Sequence, residues 1–177
     1  DRDVVAGYGA IALEILEDVP EVEAVYVPVG GGGLIGGIAT VMRELAPHVA
    51  VIGVQPSGCV PIIAGVAAGK PVETACETCC DGVAGTFMDP DTWPLLRDTQ
   101  PGWTTIDDEA VKTVIRRLAL RNKLIVEGSG ALSVAAALAA DDGRRSVCIL
   151  SGGSIDPGKL AEILDDDGRH TTTSRSA

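Results

Sequence analysis

Aromatic residues are nearly missing from this chain: they make up 3% of its 177 residues, and histidine occurs twice. A core of stacked rings is excluded, so burial has to come from small aliphatics packed against glycine. Positive charge is also short. Fourteen Lys and Arg stand against 25 Asp and Glu, for a net charge of −11. Neutralising a nucleic-acid backbone needs clustered basic residues, and no basic stripe occurs, so nucleic acid is not expected as a partner. An anionic membrane surface is disfavoured for the same reason. Every apolar stretch is broken by glycine, Pro28 or charge before it reaches the length that spans a bilayer. No signal-peptide pattern occurs, and five cysteines make an odd count. Together these predict free thiols in a reducing, cytoplasmic setting.

What is abundant is small and apolar. The chain is 46% hydrophobic with 22 glycines, which suits buried parallel strands covered by helices in one domain-sized unit. It begins Asp1-Arg2-Asp3 without a Met and runs straight into a helical pattern, which reads as a cut inside a longer polypeptide.

Helical spacing covers Val4 to Leu16. Ala24 to Val29 is a short apolar strand, followed at once by Gly30 to Gly33 and a helix over Leu34 to Leu45. Val49 to Val54 is a second strand, and a loop and helix over Pro56 to Ala68 close on Gly69. Residues 70–105 read as turn-rich and irregular. Asp107 to Arg121 is a helix capped by Asp107 or Asp108, and Ser129 to Ala140 is an alanine-rich helix. Ser146 to Leu150 is a third strand, ending in Ser151-Gly152-Gly153. Pro157 to Leu164 is a last helix, and 165–177 a polar tail expected to be disordered. Strand, loop and helix in this alternation predict an α/β fold with a doubly wound parallel sheet and helices on both faces. In such sheets ligands bind at the carboxyl ends of strands.

The sharpest feature is Val27-Pro28-Val29-Gly30-Gly31-Gly32-Gly33-Leu34. Four glycines between a strand and a helix cost backbone entropy and suit a close approach to a ligand. Their N–H groups, with the positive end of the next helix dipole, can hold a phosphate without Lys or Arg. A P-loop would need Lys and Ser or Thr after the glycines, and Leu34-Ile35 stand there instead. Gly31, Gly33 and Gly36 formally match a dinucleotide fingerprint, yet Gln55 occupies the place of its ribose-binding acid. A single phosphate monoester, or simply a tight turn with close helix–strand packing, remains.

The flanks separate these readings. VPVGGGGL, the run DRDVVAGYGAIALEILEDVPEVEAVYVPVGGGG, TWPLLRD, Asp81-Gly82-Val83, Val126-Glu127-Gly128-Ser129-Gly130-Ala131 and Leu150-Ser151-Gly152-Gly153 stand in consistent order over residues 1–156. Together they resemble fold-type II pyridoxal-phosphate enzymes of the threonine dehydratase/serine racemase family. The resemblance implies residues 1–164 of a cofactor-binding large domain of tryptophan-synthase-beta-like fold. It implies pyridoxal 5'-phosphate as cofactor, its phosphate on the amides of Gly30, Gly31, Gly32 and Gly33 with Leu34 beside them. Ser151 would meet the pyridine nitrogen, Glu127 would lie near the ring, and Gly82 and Val83 would line it. A neutral hydroxyl does not favour a protonated ring, which suits elimination over transamination. Bland readings stand beside these: Ser151 as a strand-end turn serine, Glu127 as an acid at a helix N-terminus.

Two departures from the family pattern occur. Tyr8-Gly9-Ala10 replaces Gln-Gly-Thr, and Gln55 stands where cation-binding members place an acid, so no metal site is expected. Cys76, Cys79 and Cys80 look like a metal box only superficially, because His48 and Cys59 are far off in sequence and zinc wants four ligands. His48 and His170 are expected at the surface.

The implied reaction is loss of water from L-threonine or L-serine, giving a 2-oxo acid and ammonia, with racemisation of serine as the rival within the family. Both need a Schiff-base lysine that carries the cofactor, which the resemblance puts before this region. Lys70, Lys112, Lys123 and Lys159 read as solvated surface charges, so no catalytic residue is expected in this chain and the chain alone is expected to be inactive. The partners implied are a small amino-acid substrate, the missing N-terminal half of the same enzyme, and further copies in a homo-oligomer. A non-catalytic module that binds a phosphate ligand or a partner chain is the reading from another class.

Overall fold

The computed structural model describes residues 1–88 and 90–165. The expected disordered tail, with His170 in it, therefore lies outside the described residues apart from Asp165. The elements run α1 (Arg2–Asp18), β1 (Ala24–Pro28), α2 (Gly33–Leu45), β2 (Ala50–Pro56), α3 (Pro61–Ala68), a 3-10 turn (Asp81–Val83), α4 (Trp93–Thr99), β3 (Gly102–Ile106), α5 (Asp108–Arg117), α6 (Gly128–Ala140), β4 (Ser146–Cys148) and α7 (Pro157–Asp165).

Local chemistry explains the element ends. Asp1 caps α1 by accepting the Asp3 N–H at 2.8 Å, and Asp107 caps α5 by accepting the Ala110 N–H at 2.8 Å. Gly69 closes α3 in the left-handed region at φ 68°. The helix expected through Arg121 ends at Arg117 and continues as one wide turn over Leu118–Asn122, closed by Lys123 at φ 61°.

The four strands lie in the order β3-β2-β1-β4. All three pairings are parallel: Val25 opposes Val51 and Val147, and Val54 opposes Thr104. The doubly wound parallel sheet is as the sequence predicts, with one correction. Residues 70–105 are not irregular throughout, for they contain α4 and most of β3. Their signal is weak for a physical reason. Trp93-Pro94 starts a helix of only 7 residues, and β3 is an edge strand whose Gly102, Trp103, Thr104 and Thr105 stay partly or fully exposed. Such an edge shows no apolar run.

Central β1 is buried along its whole length, and its side chains alternate between two cores. Val25 and Val27 point to a cluster shared with Ala12, Ile15, Ile35, Ile38, Met42, Ile62 and Leu96, so α1 to α4 cover that face. Ala24 and Tyr26 point to the opposite cluster with Val111, Ile115, Leu132 and Ala135, where α5 and α6 lie, and α7 adds Leu160 and Ile163. The scarcity of rings shows in how closely helices approach. A Cβ on Gly37 would collide with the Val5 carbonyl oxygen and sit 2.8 Å from Tyr8 Cβ, so α1 lies almost backbone-to-backbone on α2.

The expectation of five free thiols is also corrected. Cys59 and Cys76 are joined by a disulfide, leaving Cys79, Cys80 and Cys148 free. The pairing depends on residues 73–77 folding back beside 58–59, where Cys59 and Cys76 form an antiparallel bridge. A 17-residue separation carries no mark of that return. No described helix is long and apolar enough to cross a membrane.

Candidate functional site

The chain leaves β1 toward β2 and β3 on one side and returns to β4 on the other. The point where the strand order reverses therefore lies between β1 and β4, and crevices form there at the carboxyl ends. Tyr26 is in register with Cys148, so the loops that follow, Gly30 to Gly33 and Leu150 to Ser151, leave the sheet at one edge. They line a cavity of about 550 Å3 together with Tyr8, Ile11, Pro28, Leu34, Ile35, Gly82, Val83 and Ile149.

The glycines differ in what they do. A Cβ on Gly31 would meet nothing within 4 Å, so its face is open to solvent space. Gly32 caps α2 at φ 89°, a left-handed conformation that glycine adopts without strain. Its missing side chain leaves room for Leu96, whose Cδ1 would be 3.0 Å from a Cβ there. On Gly30 a Cβ would press on the Val83 backbone at 3.2 Å, so that glycine lets the 81–83 turn close the cavity wall. Gly36 has another cause. Its Cβ would run into Leu95 of α4, so it permits α4 to pack closely on α2. The dinucleotide reading lacks its ribose-binding acid, for Gln55 stands in that place and is fully buried.

Two hydrogen bonds aim the loop. Thr92 Oγ1 donates to the Gly31 carbonyl oxygen at 2.9 Å, which ties the loop to the start of α4. Gln55, fully buried, donates from Nε2 to the Val29 carbonyl oxygen at 3.2 Å and accepts the Ile63 N–H on Oε1 at 3.1 Å. Neither role was visible in the sequence. Thr92 lies in a recognisable motif that suggests no contact, and Gln55 reads there only as the absence of an acid. With both Nε2 and Oε1 of its amide engaged, Gln55 is a staple between the glycine loop and α3. The first N–H groups of α2 have no partner within the helix and converge on the cavity with the helix dipole. A helix N-terminus of this kind can take an anion without any basic side chain.

Of the residues named from sequence, Gly30, Gly31, Gly32, Gly33, Leu34, Gly82, Val83 and Ser151 share this one cavity. Glu127 does not line it. It stands at the N-terminus of α6 and accepts the Ser154 N–H on Oε2 at 3.1 Å, in a neighbouring cleft lined also by Cys79, Asp81, Gly82, Lys112 and Lys159. Gly82 borders both spaces, and a Cβ on it would sit 2.6 Å from Glu127 Oε1. Ser129 Oγ, buried close to Gly82, makes no hydrogen bond.

None of the four lysines lines the glycine cavity. Lys112 pairs with Glu109 at 2.6 Å and Lys159 with Asp81 at 2.7 Å. Lys123 Nζ donates to the Leu120 carbonyl oxygen at 2.7 Å, and Lys70 is exposed. His48 is exposed, as expected. The free thiols differ in acidity. A hydrogen bond from Cys80 holds Cys79 below the usual thiol range, the same contact with burial pushes Cys80 up, and burial pushes Cys148 up to about 11.

Comparison with known proteins decides what this crevice belongs to. The model of the "Pyridoxal-phosphate dependent enzyme" family matches residues 1–152. This chain belongs to the pyridoxal-phosphate dependent enzyme family. Among relatives in that family, the L-threonine ammonia-lyase of Geobacter sulfurreducens is 39% identical over 169 residues, covering 93% of this chain and 42% of that protein. A serine racemase of Oryza sativa subsp. indica is 33% identical over 93% of this chain and 51% of its own length. The solved structure of the processed form of threonine deaminase isoform 2 from Solanum lycopersicum superposes with a TM-score of 0.86 at 30% identity, over 92% of this chain and 49% of that one. The chain thus spans about half the length of the curated relatives it matches. Pyridoxal phosphate is the family's cofactor, and the cradle at the start of α2 suits a single phosphate monoester.

Proposed function

We propose that this chain is the cofactor-holding part of a pyridoxal-phosphate-dependent ammonia-lyase that converts L-threonine or L-serine to a 2-oxo acid and ammonia. The observation that carries the reading is the single cavity at the strand-order reversal, where four glycines at a helix N-terminus face Gly82, Val83 and Ser151. When bound, pyridoxal phosphate supplies an electron sink for bonds at the amino acid's Cα.

The chain's own residues have distinct tasks in this reading. Gly30 to Gly33 and Leu34 hold the phosphate through N–H groups, and Thr92 and Gln55 keep that loop in shape. Ser151 offers a neutral hydroxyl to the ring nitrogen, while Val83 and Gly82 form the wall along the ring. Glu127 acts at one remove, holding the backbone at Ser154 behind that wall. The lysine that carries the cofactor and the surface that binds the substrate carboxylate come from the rest of the protein. Racemisation of serine is a second reading, supported by the relatives of that name.

The test uses the protein carrying this chain together with the remainder of its polypeptide, loaded with pyridoxal phosphate. The expected result is 2-oxo acid and ammonia in equal amounts from L-threonine or L-serine. Gly31→Asp, which puts a carboxylate where the phosphate would sit, should weaken cofactor binding at least tenfold with the fold intact. D-serine as the main product would favour the racemase. Cofactor binding without turnover of either amino acid would favour a non-catalytic module, and unchanged binding by the Gly31→Asp protein would refute the cradle.

A further inference from the structure

On the side of the 81–83 turn away from the glycine loop, the sulfur atoms of Cys79 and Cys80 and a carboxylate oxygen of Asp108 lie within 4.8 Å of one another. The spacing of Cys76 and Cys79 suggests a different metal box, but Cys76 is bonded to Cys59, which leaves the adjacent pair Cys79–Cys80 to act together. Asp108, in the first turn of α5, is held in place from the loop. The Thr78 hydroxyl donates to its Oδ1 at 2.7 Å and the Cys79 N–H to its Oδ2 at 2.6 Å. The Cys80 N–H donates to Thr78 Oγ1 at 3.1 Å, so residues 78–80 and the carboxylate form one body. Cys80 is fully buried against Gly128, where a Cβ would come within 3.1 Å of its sulfur. Cys79 is half-buried and opens on the cleft of about 300 Å3 that also holds Lys112 and Lys159.

We propose that Cys79, Cys80 and Asp108 form a binding site for one thiophilic divalent cation of the zinc class, with a water from the cleft as fourth ligand. Adjacent thiolates suit a soft or borderline ion and disfavour calcium or magnesium. Zinc takes sulfur at about 2.3 Å and carboxylate oxygen at about 2.0–2.2 Å in a tetrahedron, which puts its ligands about 3.3–3.8 Å apart. The three atoms need to close by only about 1 Å, within reach of side-chain rotation. Each Asp108 oxygen accepts one hydrogen bond and keeps a lone pair for the ion. Thr78 and the Cys79 N–H then serve as the outer contacts that orient it. Two thiol protons pass to solvent on binding, two thiolates and a carboxylate face the divalent charge, and Lys112 and Lys159 flank the remaining negative charge. Three protein ligands and one water make an open site of limited affinity, not a closed structural one. This inference stands apart from the cofactor reading, because none of its three ligands lines the glycine cavity.

The probe is Co2+, added without reductant to the protein carrying this chain so that the Cys59–Cys76 disulfide stays intact. One equivalent should bind with a sulfur-to-cobalt charge-transfer band in the near ultraviolet, and Zn2+ should abolish that band. Cys79→Ser and Asp108→Asn should each weaken binding at least tenfold, whereas Cys148→Ser should leave it unchanged. Cys80→Ser touches the core, so Cys79→Ser and Asp108→Asn, both at partly exposed positions, carry the test alongside their thermal transitions. Absence of the charge-transfer band overturns the proposal, as does a band that survives Cys79→Ser in a folded protein.

Discussion

Replacing Gln55 by leucine isolates what holds the glycine loop. The side chain is 0% exposed, and its two hydrogen bonds reach the Val29 carbonyl just before Gly30 and the Ile63 N–H in the first turn of α3. Val60, which caps α3, offers no side-chain hydrogen bond, so Gln55 caps that helix from across the fold. Leucine fills nearly the same volume, so the perturbation is the loss of two polar partners and not a cavity. Each stranded buried group costs about 1–3 kcal/mol. Ile63 is only partly buried, which places the expected sum at the lower end, about 2–4 kcal/mol. Urea unfolding of the protein carrying this chain, followed by Trp93 and Trp103 fluorescence, measures it. With a slope of about 2 kcal/mol per molar, the midpoint should fall by about 1–2 M at unchanged slope. Gln55→Glu provides a sign check. A carboxylate keeps the Ile63 N–H but opposes the Val29 carbonyl, which it can satisfy only when protonated, so its folded-state pKa must lie above its unfolded value. The native protein then binds more protons, and stability should rise as pH falls toward the unfolded value of about 4.3. A loss below about 0.5 kcal/mol for Gln55→Leu, or a Gln55→Glu protein that weakens as pH falls through that range, would refute the staple.

Further outcomes are open to direct measurement. Gly32→Ala places a Cβ at φ 89° against Leu96 and should cost about 1–2 kcal/mol in thermal or urea unfolding, with weaker cofactor binding measured on the same sample. Gly53→Ala pushes on the Trp103 ring across the β2–β3 pair and on Ile35 of α2, and overpacking of this kind costs about 1–3 kcal/mol by the same unfolding assay. Alkylation in denaturant should modify three of the five cysteines without reductant and all five after reduction, read by mass. In the folded, chelator-treated protein, Cys79 should be alkylated before Cys148. The Cys148 rate should climb with pH as it approaches about 11, because the thiolate is the reactive form.

Periodicity and punctuation carried the elements that are apolar and continuous. Val25 and Val27 on the buried central strand, the glycines behind it and the Asp107 cap each act through neighbours in sequence, so their signals are local. The order of motifs from the glycine loop to Ser151 was enough to place the chain in its family. What the sequence could not reveal depends on residues that meet only after folding. The edge strand β3 lacks an apolar run because one side faces solvent. The neighbour that Gly36 makes room for, Leu95, lies 59 residues on, and Cys76 looks like a ligand until the chain returns to Cys59. Gln55 reads as a missing acid, yet its amide is pinned between Val29 and Ile63, 26 and 8 residues away. Composition and spacing determined most of the apolar, continuous elements and that a phosphate could sit at Gly30 to Gly33. Only the tertiary structure decided which loops share the crevice, because parallel register and strand order bring Ser151 beside the glycines and leave Glu127 in the next cleft.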